Sequence, residues 1–158
     1  MTYTQKYSIV CMLQPYKVGD EFTYETWPLH VTMADVFAID WHGGKVIAHI
    51  KHALADVKAP QIVVGDPAQL GTAHVMLLQN TTVLQSLHED VISVLDKNGA
   101  VFNNPEFTGE GFVAHCTIQK DKALKTGDTV SINNLCVIDM FVDADPAKRK
   151  IVNVLPLQ

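Results

Sequence analysis

The sequence predicts an α+β fold of mainly antiparallel sheets with two main helices packed outside. Short apolar runs typical of strands follow one another with few helices between them, which favours antiparallel pairing. Only two segments repeat apolar residues at three- and four-residue steps, as helices do. With 158 residues, 47% of them hydrophobic, the chain is long enough for a sizeable core. We therefore predict a single domain over residues 1–158, a length that also permits two similar lobes.

The first half of the chain predicts two strands and one helix. Residues 7–13 form a short apolar run of strand formers, which indicates a buried strand. The polar residues 14–25 predict a loop, and strand character returns over residues 29–39. Residues 42–57 place apolar side chains on one helical face, and Pro60 prevents the helix from continuing.

The second half predicts the other helix and five strands. Asn80 is expected to cap this helix and Gly99 to end it, around a buried stripe of apolar residues: Leu84, Leu87, Val91, Ile92 and Leu95. The strands are expected at residues 61–66, 72–78, 112–118, 129–143 and 150–157. A turn over residues 66–71 is expected between the first pair of strands, and a hairpin is expected to join the last pair.

Charge and composition exclude some classes of protein. The net charge is −5 and Arg149 is the single arginine, which argues against a protein that grips long duplex nucleic acid through many basic contacts. This charge is still compatible with binding of a small anionic ligand or a nucleic-acid end. Three cysteines without a C-x-x-C pair indicate reduced core thiols, and no segment resembles a signal peptide or a membrane span. We predict a soluble cytoplasmic protein without a membrane partner.

One short pattern occurs once in each half of the chain. His30-Val31-Thr32 and His115-Cys116-Thr117 both lie in apolar, strand-like runs. Because side chains alternate across a strand, His and Thr point to one face of each strand, while Val31 and Cys116 point to the other. Two such strands facing each other would present two imidazoles and two hydroxyls to one space.

These two H-x-T motifs resemble those of the 2H phosphoesterase superfamily, which includes the 2′-5′ RNA ligase-like proteins and the cyclic phosphodiesterases. The resemblance implies a two-lobed fold with internal pseudo-symmetry and a cleft between the lobes. It implies that His30 and His115 are the general acid/base pair, in either order, and that Thr32 and Thr117 bind the phosphate. No metal or other cofactor is expected. The substrate would be a 2′,3′-cyclic phosphate or a 2′-5′ phosphodiester in a nucleotide or RNA end, and the same groups would also serve ligation.

Other interpretations of these residues stay open. One alternative is that His30 is a core residue bonded to a carbonyl, as a lone histidine in an apolar run more often is. Another is that the protein has the same fold but binds a nucleotide without turnover. His42, His49 and His52 suggest a metal site, although a solvated helix face explains them better. Tyr24, able to stack on a base, and Lys120 are candidate substrate contacts. The expected partner is a nucleotide, a cyclic nucleotide or a short RNA end, bound by a monomer.

Overall fold

The computed structural model describes residues 5–119 and 122–158. Ten strands, two α-helices and three short 3-10 turns follow one another along these residues. The helices are α1, Gly43–Ala53, and α2, Thr82–Lys97. The strands are β1 Lys6–Met12, β2 Glu21–Thr23, β3 His30–Ala38, β4 Gln61–Leu70, β5 Ala73–Leu78, β6 Val101–Phe102, β7 His115–Thr117, β8 Thr129–Ser131, β9 Asn134–Asp139 and β10 Lys148–Pro156. The predicted α+β class with antiparallel sheet is confirmed.

The strands form one sheet in the order β2-β10-β9-β1-β3-β7-β5-β4-β8, and β6 pairs with β3 off this path. Every pair of neighbouring strands is antiparallel. We call the part from β2 to β3 the first lobe and the part from β7 to β8 the second lobe. Among the described residues, one pair, Val31 with Cys116, joins the strands of the two lobes. This junction lies at the centre of the sheet.

Both helices cover the same face of the sheet. The helical residues Val46, Ile50, Leu84 and Leu87 belong to one buried cluster that also contains strand residues of both lobes, because each helix turns its apolar stripe inward. A smaller cluster on the opposite face includes Val10 and Met12 of β1, with Trp27 and Phe22 packed against it. We call this opposite face, which carries neither helix, the open face. Within residues 5–119 and 122–158, neither helix has the length and apolar character that a membrane span needs.

Strand β3 is irregular just after the first H-x-T motif. Val10 of β1 pairs with Thr32, and the residue before it, Ile9, pairs with Ala34. Strand β3 therefore contains one extra residue, Met33, at this point. This β-bulge shifts the alternation of side chains. Met33 and Ala34 are both buried, and Asp35 returns to the open face. The Ser8 hydroxyl donates a hydrogen bond of 2.9 Å to the Ala34 carbonyl oxygen, which gives the bulged backbone a partner.

Two strand predictions were wrong. The turn expected over residues 66–71 belongs mostly to β4, which continues to Leu70, and the connection to β5 is the two-residue turn Gly71-Thr72. Gly71 has a φ of 59°, a conformation that two-residue hairpins require. Pro67 is accommodated because a register shift separates it from Val64, and Pro at an irregularity removes no regular ladder bond.

The single strand expected over residues 129–143 is two strands at distant places in the sheet. β8 pairs with β4 at the edge of the second lobe, and β9 pairs with β1 and β10 in the first lobe. The predicted hairpin therefore joins β9 to β10. Residues 14–25 also contain β2, which the loop prediction missed.

The limits of the helices and of one strand also differ from expectation. The cap of α2 is Thr81, whose hydroxyl accepts a hydrogen bond from the Leu84 N–H, rather than Asn80. Helix α1 ends at Ala53 rather than at residue 57. The strand around His115 has only the three residues His115–Thr117, because residues 112–114 and 118 lie outside it. The three cysteines are buried and free, as predicted.

Candidate active site

The two H-x-T motifs lie on neighbouring antiparallel strands. Val31 on β3 pairs with Cys116 on β7, so the antiparallel register sets His30 beside Thr117 and Thr32 beside His115. Val31 and Cys116 are 0% and 1% exposed in the core beneath the helices. The two histidines and two threonines, all partly buried, therefore share the open face of the sheet. An approximate twofold axis through the Val31–Cys116 pair relates one motif to the other.

The two imidazoles are oriented in the same way. His30 Nδ1 lies 2.8 Å from the Pro28 carbonyl oxygen, and His115 Nδ1 lies 2.7 Å from the Val113 carbonyl oxygen. Because a carbonyl oxygen only accepts, each Nδ1 carries a hydrogen and donates it. The Nε2 atom of each ring is therefore the one left to exchange a proton with a ligand.

His30 has the more enclosed surroundings. Its ring stacks on Trp27, with 4.1 Å between the ring centroids and 28° between the planes. Burial lowers the pKa of His30 to about 4, with the positive charge that His115 can carry as a smaller cause, while the bond to Pro28 opposes the change. Neutral imidazole is therefore the dominant form of His30 at pH 7.

Two adjoining cavities form one cleft around these residues. A cavity of about 260 Å³ is lined by His30, Thr32 and Thr117. A cavity of about 540 Å³ is lined by His115 and Thr32. Thr32 and Asp35 line both cavities and mark their boundary. The two imidazoles thus face adjacent parts of one cleft.

Aromatic side chains stand at both ends of the cleft. Tyr24, predicted as a stacking residue, lines the cavity of His30 and is 58% exposed. A hydrogen bond and the negative charge of Glu25 raise the pKa of Tyr24. Phe107 lines the cavity of His115 and is 50% exposed, so a flat ring is accessible there too. Lys120, the other predicted substrate contact, lies outside the described residues.

Arg149 is a site residue that sequence reasoning missed. It lines the cavity of His30, and its guanidinium carbon lies 6.0 Å from the centroid of the Trp27 ring. Its Nη1 donates hydrogen bonds to the carbonyl oxygens of Pro146 and Lys148. The sequence did contain a signal, because a single arginine in an acidic chain indicates a specific role. The strand that carries Arg149, however, is distant in sequence from both motifs.

Two further polar residues near the cleft were missed. Asp35 follows the first motif by three residues, where simple alternation would place it in the core. His88 on α2 is buried, with Nδ1 donating to the Met33 carbonyl oxygen at 2.7 Å and Nε2 accepting from the Gly109 N–H at 3.0 Å. Burial lowers the pKa of His88, and its two bonds fix it as a neutral ring that attaches the loop before β7 to β3.

Two of the three helix-region histidines considered for a metal have other contacts, and the third is exposed. His42 caps α1 by accepting a hydrogen bond of 3.2 Å from the Lys45 N–H, and His49 stacks on Trp41 at 4.4 Å between centroids. His52 is exposed in the last turn of α1. Within residues 5–119 and 122–158, no three His, Cys, Asp or Glu side chains are grouped so as to hold a metal ion.

The fold and the paired motifs define a class of protein. The family model of the 2′-5′ RNA ligase superfamily matches residues 13–131, which is more than half of the chain, so the protein belongs to that superfamily. The predicted resemblance is confirmed at this level. No curated protein sequence matches the chain significantly.

Solved structures show the same fold over nearly the whole chain. Escherichia coli LigT complexed with 3′-AMP is similar with a TM-score of 0.60 and 15% identity, covering 98% of both chains. LigT complexed with NADP⁺ gives a TM-score of 0.58 at 12% identity over 99% of both chains. A crystal structure of a phosphoesterase gives 0.57 at 14% identity over 98% of both chains. At these identities the likeness establishes the fold.

Proposed function

We propose that the protein is a phosphoesterase that opens a 2′,3′-cyclic phosphate, or cleaves a 2′-5′ phosphodiester, in a nucleotide or RNA end without a metal ion. The observation that supports this best is the matched orientation of His30 and His115 on one face of the sheet. Both rings donate from Nδ1 to a carbonyl two residues earlier, which leaves both Nε2 atoms for proton transfer. Two imidazoles on one face of the sheet supply the acid and the base that opening a phosphodiester needs.

In the hydrolytic direction, we assign His30 as the base. Its burial keeps the imidazole neutral, so Nε2 has a free electron pair to accept a proton from the attacking water. The water oxygen forms a bond to phosphorus as the bond from phosphorus to the departing ribose oxygen breaks. His115 enters the step protonated at both ring nitrogens and donates its Nε2 proton to that departing oxygen, and proton exchange with water then returns both rings to their starting states. A positive charge on His115 opposes protonation of His30, so the protonation of one ring depends on the other.

The threonines and the arginine act on the phosphate itself. Thr32 and Thr117 hydroxyls, on the same face as the imidazoles, donate hydrogen bonds to the non-bridging oxygens as charge develops on them. Arg149 adds positive charge at the His30 end of the cleft. Reversal of the same proton transfers would join the two ends, so hydrolysis and ligation use one set of groups.

The substrate we propose is small. The two cavities of the cleft measure only about 260 and 540 Å³, and the chain as a whole carries a net charge of −5, which opposes binding of a long nucleic acid. Tyr24 and Phe107 offer exposed rings on which bases of a nucleotide or short RNA end stack. We also propose that the protein acts as a monomer in the cytoplasm.

The test is turnover of adenosine 2′,3′-cyclic phosphate and of a 2′-5′-linked diadenylate in the presence of EDTA. His30→Ala and His115→Ala are each expected to lower kcat by about 10²–10⁴-fold, the usual contribution of a positioned acid or base. His52→Ala, which changes an exposed helical histidine, is the matched control and should retain full activity.

Three results would contradict the proposal. Full activity in either cleft variant would exclude the paired-histidine mechanism, and loss of activity with EDTA would exclude metal independence. Tight binding of both nucleotides by the wild-type protein without any turnover would favour the nucleotide-binding module instead.

A further inference from the structure

Asp35 is a carboxylate at the centre of a cleft that otherwise suits an anion. It lines both cavities, and with Thr32 it forms the boundary between them. A carboxylate there repels the ligand that the imidazoles, hydroxyls and Arg149 attract. An unfavourable charge held in such a place calls for a physical explanation.

Two independent structural features, a β-bulge and a hydrogen bond, hold Asp35 in this place. The bulge at Met33 and Ala34 turns the side chain from the core to the open face, and the buried Ser8 hydroxyl satisfies the bulged carbonyl of Ala34. The Asn104 amide donates a hydrogen bond of 2.8 Å to Asp35 Oδ2. The carboxylate is therefore fixed beside the phosphate position rather than free to swing away.

We infer that Asp35 is a specificity-determining residue that selects singly charged phosphodiesters over doubly charged phosphomonoesters. The inference rests on the proposed function, since it assumes that a phosphate ester occupies the cleft. Repulsion between fixed charges scales with the charge of the ligand, so a monoester at −2 is penalised twice as much as a diester at −1. Asp35 acts on ligand charge and takes no part in the proton transfers.

The consequence concerns release of the product. Opening a cyclic phosphate converts a diester into a monoester, whose second ionisation lies near pH 6 for alkyl phosphates, so the product gains a charge at neutral pH. The same carboxylate that tolerates the substrate then weakens binding of the product. This limits product inhibition in the hydrolytic direction and disfavours rebinding of monoester ends.

The experiment compares two unreactive ligands that differ in one methyl group and one charge. Binding of 2′-deoxyadenosine 3′-monophosphate and of its methyl ester is measured by calorimetry at pH 7.5; without a 2′-hydroxyl, neither can form the cyclic phosphate. In Asp35→Asn, which keeps an oxygen for the Asn104 amide, affinity for the methyl ester should rise about threefold and affinity for the monophosphate about tenfold. These factors follow from a roughly threefold effect per unit charge in a water-filled cleft.

Matched variants separate this local effect from net charge and from folding. Asp40→Asn makes the same change of net charge at an exposed position after β3 and should leave both affinities unchanged. Asp35→Glu restores the carboxylate and should retain the wild-type ratio of the two affinities. If Asp35→Asn does not fold, Asp35→Ser provides a second neutral side chain.

The outcomes distinguish this inference from the proposed function. Equal gains for both ligands in the neutral variants, or no gain, would overturn the role of Asp35 even if the wild-type protein is an active esterase. The expected selective gain in a protein that turns over no diester would support Asp35 and reject the proposed activity. Failure of the wild-type protein to bind either ligand would overturn both.

Discussion

Acidification is expected to destabilise the protein through His30. The ring is enclosed by Trp27 and the strand ends, and its pKa falls from 6.5 to about 4. The unfolded chain therefore binds a proton at this position over a pH range in which the folded protein does not. Stability attributable to His30 is complete above pH 6.5 and is lost as the pH falls toward 4.

The size of the effect follows from these two pKa values. Each pKa unit corresponds to about 1.4 kcal/mol, and linkage between 6.5 and 4 gives a loss of about 2 kcal/mol between pH 7 and pH 5. The opening of the cleft to water makes this figure an upper limit. Few carboxylates titrate above pH 5, so the range isolates histidine. His88, whose pKa burial also lowers, contributes with the same sign.

The assay is urea unfolding followed by tryptophan fluorescence at pH 7 and pH 5. His30→Asn keeps a donor for the Pro28 carbonyl but does not titrate in this range, so it should lose about 1–2 kcal/mol less than the wild type between the two values. His52→Asn, at an exposed helical position, should behave as the wild type. Because His88 is present in every variant, its contribution cancels. Equal losses in His30→Asn and the wild type would refute the burial of this imidazole.

Two stability predictions test the local structure around the site and the second helix. Ser8→Ala leaves the buried Ala34 carbonyl without its partner and should lower the free energy of unfolding by about 1–2 kcal/mol, against less than about 0.5 kcal/mol for the exposed Ser86→Ala, measured by urea unfolding. Thr81→Ala removes the cap of α2 and should cost about 1 kcal/mol in the same measurement. Asn80→Ala should cost less than Thr81→Ala, and the reverse order would contradict the cap that the structure assigns.

The paired motifs could be predicted because their information is local. Alternation along a strand places His30 and Thr32 on one face whatever the strand pairs with, and the same holds for His115 and Thr117. The α+β class followed in the same way, from short apolar runs and two helical stripes. That β3 and β7 would be direct neighbours in one sheet was not visible, because strand order depends on contacts distant in sequence.

The missed residues share a different property. Asp35 reaches the cleft only because the chain bulges at Met33 and Ala34, and these two residue types do not predict a bulge. Arg149 reaches the cleft from a strand at the other end of the chain. The Asp-Pro sequence at Pro67 carries a turn signal, yet an irregularity in strand pairing lets the strand continue through it. In each case a tertiary contact prevailed over the local pattern.

Among the described residues, one pair joins the strands of the two lobes, and this has a mechanical consequence. Val31 and Cys116 lie behind the cleft in the core, directly between the residues that carry the imidazoles. Each imidazole is oriented by a carbonyl two residues before it in the chain, so the separation of the two rings depends on how the two strands pair. The backbone pairing of Val31 with Cys116 sets that separation, because neighbouring strands of a sheet lie about 4.7–4.9 Å apart. One contact between two apolar residues thereby sets the span between the two histidines that we propose as acid and base.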